Sequence, residues 1–120
     1  MFCRTPTDSA PHQMVRIYMN KKPYTMRLHV EPFARIKSGE KKIEIRLFDQ
    51  KRKGLSEGDV VTFISRENLE DTFERTIKYI NNFDTFTELF KKYPEEKLDM
   101  YQFYSKENER EFGVVAITLV

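Results

Sequence analysis

Lys41, Lys42, Glu44 and Arg46 fall close together within the stretch "SGEKKIEIRLFDQKRK". A lysine and a carboxylate held side by side can act as a proton-transfer pair. The same set can bind instead, the carboxylate accepting hydrogen bonds from an amine or a base edge while the cations hold a phosphate. A third arrangement is a solvated ladder of Lys42, Glu44 and Arg46, worth under about 1 kcal/mol. Which of these the molecule uses depends on what faces the strand that carries them.

That strand is legible from its period. Ile43, Ile45 and Leu47 alternate with Lys42, Glu44 and Arg46, the pattern of a half-buried strand with one apolar and one polar face. Upstream, "MRLHV" predicts another strand with Leu28 and Val30 on one face. Pro32 suits the first turn of a helix, Phe33 and Ile36 share a side of it, and Gly39 is placed to end it. Such a helix points Lys37, Lys41 and Lys42 toward one region. Downstream, "GLSEGD" reads as a tight turn feeding the strand "VVTFI". "TFERTIKYI" alternates Phe73, Arg75, Ile77 and Tyr79 against Thr72, Glu74, Thr76, Lys78 and Ile80, a strand pairing back across "SRENLED". In "DTFTELFKKYP", Thr85 and Glu88 have capping-box spacing, Phe86, Leu89, Phe90 and Tyr93 form an apolar stripe suited to core packing, and Pro94 stops the helix. Ser105 caps a second short helix, "KENEREF", that Gly113 ends, and "VVAITLV" closes the chain as an apolar strand with a central position. The expected order is β, α, β, β, β, α, α, β, an α+β arrangement.

Composition narrows the chemistry. A chain of 120 residues, 39% hydrophobic and 33% charged, is one domain with a real core. Residues 1–13 are polar and aperiodic and read as a loose tail, "MVRIYM" as a short strand, and the compact domain starts at Met26, leaving 1–25 as an extension. The single cysteine, Cys3, has no partner for a disulfide or a metal site, which makes a reducing cytoplasm the expected compartment. His12 and His29 lack ligand spacing, so no metal is expected. The glycine-rich loops of the nucleotide-binding folds and the GxSxG nucleophile elbow are missing, and no cofactor is implied. No apolar run approaches the roughly 20 residues of a membrane span, so no membrane partner is expected. The net charge of +2 hides a segregation: residues 35–53 hold eight basic and three acidic side chains, and residues 95–111 hold three basic and six acidic. A basic segment in a nearly neutral domain suggests one local anion-binding surface, unless basic and acidic segments simply face each other or solvent.

Three spaced elements resemble the ASCH domain, named for activating signal cointegrator-1 homology, of the PUA-like superfamily. They are "PFxxIxSGxKxIExR", then "LxxGD" before a strand, then "YSxExExxxGVVAI", together spanning Met26 to the end of the chain. The resemblance implies a small PUA-like β-barrel with short helices packed around it and a cleft lined by the "GEKKIEIR" strand. It also implies RNA or a nucleoside- or nucleotide-sized molecule as partner. Some bacterial relatives hydrolyse acyl groups from N4-acylated cytidines, and an RNA-cleaving activity is a further enzymatic alternative. The family lysine falls on Lys41, the motif acid on Glu44 and the arginine on Arg46. The hydrolysing relatives carry threonine where Glu44 and Lys42 stand here, and their downstream glutamate would correspond to Glu95 or Glu96. Binding is therefore expected ahead of hydrolysis: Lys41 and Lys42 on phosphate, Arg46 on phosphate or on Glu44, and Glu44 on an amine or amide edge. Arg35, Lys37, Lys51, Arg52 and Lys53 form an outer basic rim. If the domain is an enzyme, Lys41 and Glu44, with Glu96, are its candidate catalytic groups.

Overall fold

The computed structural model describes residues 24–120. Tail residues 1–13 and the expected strand "MVRIYM" lie outside the described residues. The elements run β1 (Tyr24–Leu28), α1 (Val30–Ser38), β2 (Ile43–Leu47), β3 (Val60–Ser65), β4 (Thr72–Phe83), α2 (Phe86–Lys92), two 3-10 turns (Pro94–Glu96 and Met100–Gln102), α3 (Lys106–Phe112) and β5 (Val114–Leu119). Local signals account for most of their ends. Gly39 takes a left-handed φ of 87° and its N–H closes on the Ile36 carbonyl, a conformation that costs a side chain its β-carbon clearance. The Thr85 and Ser105 hydroxyls accept from the backbone N–H groups of Glu88 and Asn108, capping α2 and α3.

The five strands form one sheet in the order β1-β3-β4-β5-β2. Only the β1–β3 pair is parallel; the others are antiparallel. Strand β4 is long enough to serve two halves of the sheet. Thr72–Thr76 pair with β3, Ile77–Phe83 pair with β5, and a register shift between Ile77 and Tyr79 marks the bend. Bulges of this kind bend a strand and raise its twist, so the sheet curls into a half-barrel with short helices packed around it.

The two faces of the curl bury different sets. On one, Val115, Ile117 and Leu119 of β5 join Met26, Leu28, Val61, Phe63 and Ile77, with Phe33 and Ile36 of α1 laid against them. On the other, Val114 and Ala116 join Ile45, Leu47, Phe86 and Leu89, with α2 packed across β4 and β5 and α3 against β2. Strand β5 is thus buried on both sides, as its unbroken apolar run requires.

Two details depart from the sequence reading. Val30 is not on the buried face of β1: the strand stops at Leu28, His29 becomes the α1 N-cap, and Val30 opens the helix 62% exposed. The alternation through "TFERTIKYI" breaks at the bulge, so Ile77 is buried while Tyr79 is exposed, and the strand continues to Phe83. No helix among the described residues is long and apolar enough to cross a membrane.

Candidate functional site

Strand pairing decides which way the polar face of β2 looks. Glu44 stands opposite Ile117 and Arg46 opposite Val115, and directly opposed residues project to the same side of a sheet. Ile117 and Val115 belong to the inner core cluster, so Glu44 and Arg46 point into the curl. Ile45 and Leu47 point the other way, into the cluster that holds Phe86, Leu89 and Met100. Both faces of β2 are therefore covered, and Glu44 is only 5% exposed.

A buried carboxylate needs partners. Glu44 has two. Arg46 Nε donates to its Oε2 at 2.6 Å, and Lys41 Nζ lies 3.7 Å from its Oε1. Lys41 reaches it because the Gly39 turn folds the chain back and the Lys41 N–H bonds the Arg35 carbonyl at 3.0 Å. The Arg46 guanidinium also makes a second bond. Its Nη2 donates to the Arg27 carbonyl at 3.2 Å, linking β2 to β1 across the seam between the sheet's two edges.

Beside this pair lies a cavity of about 570 Å3. Lys41, Glu44 and Arg46 form its floor, Arg27 and His29 come from the β1 side, and Leu98, Met100, Phe103 and Tyr104 come from the segment around the second 3-10 turn. Phe103 is 56% exposed, an unusual position for a bare aromatic ring. The Tyr104 ring stacks on Phe86 at 5.8 Å between centroids, while its edge lines the cavity. Burial holds the Tyr104 hydroxyl above its ordinary value of 10.0, with Arg46 opposing and Glu44 adding to that rise. Its hydroxyl has no hydrogen-bond partner among the described residues.

The segment carrying these rings is tied down from behind. Tyr101 donates to the Glu109 carboxylate at 2.9 and 3.1 Å, and the same carboxylate accepts from the Phe86 N–H at 2.7 Å. That bond to Glu109 is the main cause holding the Tyr101 hydroxyl above the ordinary phenol range. Glu109, buried on α3, thereby joins α2, the 3-10 turn and α3 into one support.

Of the residues singled out from the sequence, the structure gathers Lys41, Glu44, Arg46, Arg52 and Glu96 around the cavity. Lys51 lies in a neighbouring groove with Arg46 and Arg52. Lys42 and Lys53 are exposed outside both. Arg35 pairs with Glu40 at 3.3 Å and Lys37 with Asp71 at 3.0 Å, on the surface away from the cavity. The solvated ladder is not what forms: Lys41 takes the place beside Glu44 that Lys42 had in it, and the carboxylate is buried. Sequence reasoning missed Arg27, Arg66, Leu98, Phe103 and Tyr104. Phe103 and Tyr104 had one usable signal, adjacent aromatics in a segment with no helical or strand period. Arg27 and Arg66 had none, since their approach depends on the parallel β1–β3 pairing that ends with the Arg66 N–H on the Leu28 carbonyl.

A curled five-stranded sheet with a charged, aromatic-rimmed cavity at its seam defines the class of molecule. The chain belongs to the ASCH domain family, which it matches over residues 26–120. It is similar to the crystal structure of the hypothetical protein PH0355, with 30% identity, a TM-score of 0.67 and coverage of 82% of this chain and 97% of that one. It is also similar to the solution NMR structure of protein PF0455 from Pyrococcus furiosus, with 32% identity, a TM-score of 0.63 and coverage of 82% and 96%. No curated protein matches the chain.

Proposed function

We propose that the domain binds RNA, or a nucleotide-sized ligand, with a base seated in the cavity beside Glu44. The observation that carries this reading is the buried Glu44 carboxylate, held by Lys41 and Arg46 and facing a cavity wide enough for a base. A carboxylate has about four acceptor positions, and the two cations leave room for a ligand amine or amide N–H. Phe103 offers a stacking surface at the cavity rim, of the kind that is worth about 1–3 kcal/mol per base. The unpaired Tyr104 hydroxyl and the Lys41 ammonium supply further polar contacts to the base edge or sugar. Lys42, Lys53, Arg35 and Lys37, outside the cavity, contribute general attraction to a polyanion rather than recognition.

Fluorescence anisotropy with a labelled single-stranded RNA of about ten nucleotides tests the reading. Affinity is expected to fall with rising salt and to drop by about 1 kcal/mol in Lys41→Ala. Phe103→Ala weakens binding without altering the salt slope, because stacking releases no counterions. Glu44→Gln keeps the size and one acceptor oxygen, so it shifts the preference among bases more than the overall affinity. Absence of binding to RNA and to every nucleoside at low ionic strength would sink the proposal.

A further inference from the structure

Next to the cavity, on the far side of Arg46, runs a second groove of about 430 Å3 lined by Arg27, Arg46, Lys51, Arg52 and Arg66 with Tyr24. No carboxylate lines it. Arg27, Arg46, Arg52 and Arg66 line the first cavity as well, so the two spaces share a wall of guanidinium groups. Two of these cations are compensated: Arg46 by Glu44, and Arg52 by Asp49 at 3.3 Å. The side chains of Arg27, Arg66 and Lys51 have no hydrogen bond or ion pair among the described residues. Holding like charges together opposes folding, and none of these three has a carboxylate within ion-pair distance among the described residues. An anion in the groove would offset that repulsion.

Resting on the reading of the cavity as a base site, we propose that the groove is a phosphate subsite and that the ligand's anion is covalently part of the base-bearing molecule. The ligand class is then a nucleoside phosphate or a phosphodiester-linked nucleotide, not a free nucleoside. Guanidinium forks match phosphate oxygens in a bidentate manner. Arg46 fits the junction: its Nε faces Glu44 and one Nη2 hydrogen faces the Arg27 carbonyl, which leaves its Nη1 hydrogens open. One guanidinium thus touches both compartments, and a ligand spanning them places its base on one side of Arg46 and its phosphate on the other.

Calorimetric titration of the full chain at low salt tests this with each nucleoside, its 5′- and 3′-monophosphates, and a dinucleoside monophosphate whose only phosphate is a diester. The readout is the ratio of nucleotide to nucleoside affinity, from which any general loss cancels. In the unaltered protein at least one phosphorylated form is expected to bind about tenfold tighter than its nucleoside. Arg66→Ala and Arg27→Ala, both at exposed side chains, bring that ratio to about one, whereas Lys91→Ala removes the same charge from α2 and leaves it unchanged. A diester equal to the best monoester identifies the RNA backbone as the source of the phosphate; a preference for a monoester identifies a free nucleotide or a chain end. Nucleoside binding that responds to Glu44→Gln with no gain from phosphate overturns the subsite and leaves the base site standing. No binding by any of these compounds overturns the subsite, and joined to no binding of the ten-nucleotide RNA it overturns the base site as well; a phosphate gain that survives both arginine substitutions assigns it elsewhere and rejects the groove.

Discussion

The Arg46 side chain carries two duties at once, and removing it separates burial from mere surface pairing. Glu44 sits at 5% exposure with its closest cation gone in Arg46→Ala, and an uncompensated buried carboxylate is among the costliest lesions a fold meets. Destabilisation of about 2–3 kcal/mol is expected from denaturant midpoints, against under about 1 kcal/mol if the pair behaved as an exposed ladder. Lys41→Ala should cost less, because its contact at 3.7 Å is longer and Arg46 remains in place. Tyr104 yields a second residue-level prediction through pH. Its hydroxyl is raised above 10.0 in the folded protein, chiefly by burial, so on raising pH the unfolded chain loses that proton first. Between the ordinary phenol value and the raised one the folded state holds more protons, and stability must fall as pH rises. Tyr104→Phe should lessen that alkaline decline in denaturant melts, leaving the part due to the raised Tyr101 hydroxyl, and an unchanged slope would remove Tyr104 as a source. From the sequence, the types and spacing of Lys41, Glu44 and Arg46 were legible as a cluster, but not that both faces of β2 are covered. An alternating strand shows which residues share a face and says nothing of what lies opposite.

Helices and strands with local signals were read almost residue for residue, and those shaped by distant pairing were not. Thr85, Ser105, Gly39 and Gly113 mark helix ends through their own hydroxyls or backbone freedom, so a short window contains the cause. Tyr79 fails as an inward position because the bulge in β4 answers to β5, some 40 residues away in sequence, which no window includes. The second 3-10 turn was unread for a related reason: it is held by Glu109 on α3, not by a period of its own. This makes the support behind Phe103 and Tyr104 a testable element. Tyr101→Phe keeps the ring's edge contact with Phe86, 6.0 Å between centroids, and removes only the hydroxyl that bonds Glu109. A loss of about 1 kcal/mol in stability is expected. Faster amide exchange should be confined to Leu98–Tyr104 and the first turn of α2. RNA affinity should fall in parallel although Tyr101 does not line the cavity. Unaltered exchange in that segment would show that the Glu109 link does not hold the rim.

Across the whole molecule, the curl brings β1 and β2, the two edges of the sheet, close enough for one arginine to span them, and the cavity exists only because of that closure. The α+β order, the interior placement of β5 and the helix stripe over it were legible because burial on both faces writes an unbroken apolar run. The seam was not, since curl depends on twist summed over five strands. Amide exchange should accordingly be slowest in Val114–Leu119, and fraying there would be incompatible with a strand paired on both sides. The fold itself does not choose between binding and catalysis, which depends on the groups at the site. The described residues lining the cavity include no serine, threonine or cysteine, so the hydroxyl and thiol nucleophiles of Ser, Thr and Cys acyl-transfer sites are not among them. One route to hydrolysis is a water activated by Glu44 or Glu96, both of which line the cavity. Glu44 is engaged by Arg46 and Lys41, which hold it as a fixed acceptor. The expected outcome is little or no release of cytidine when the protein is incubated with N4-acetylcytidine, even where that nucleoside binds. Rapid release that is abolished both by Lys41→Ala and by Glu44→Gln, with a bell-shaped dependence on pH, would instead establish the two as a proton-transfer pair and make the site catalytic.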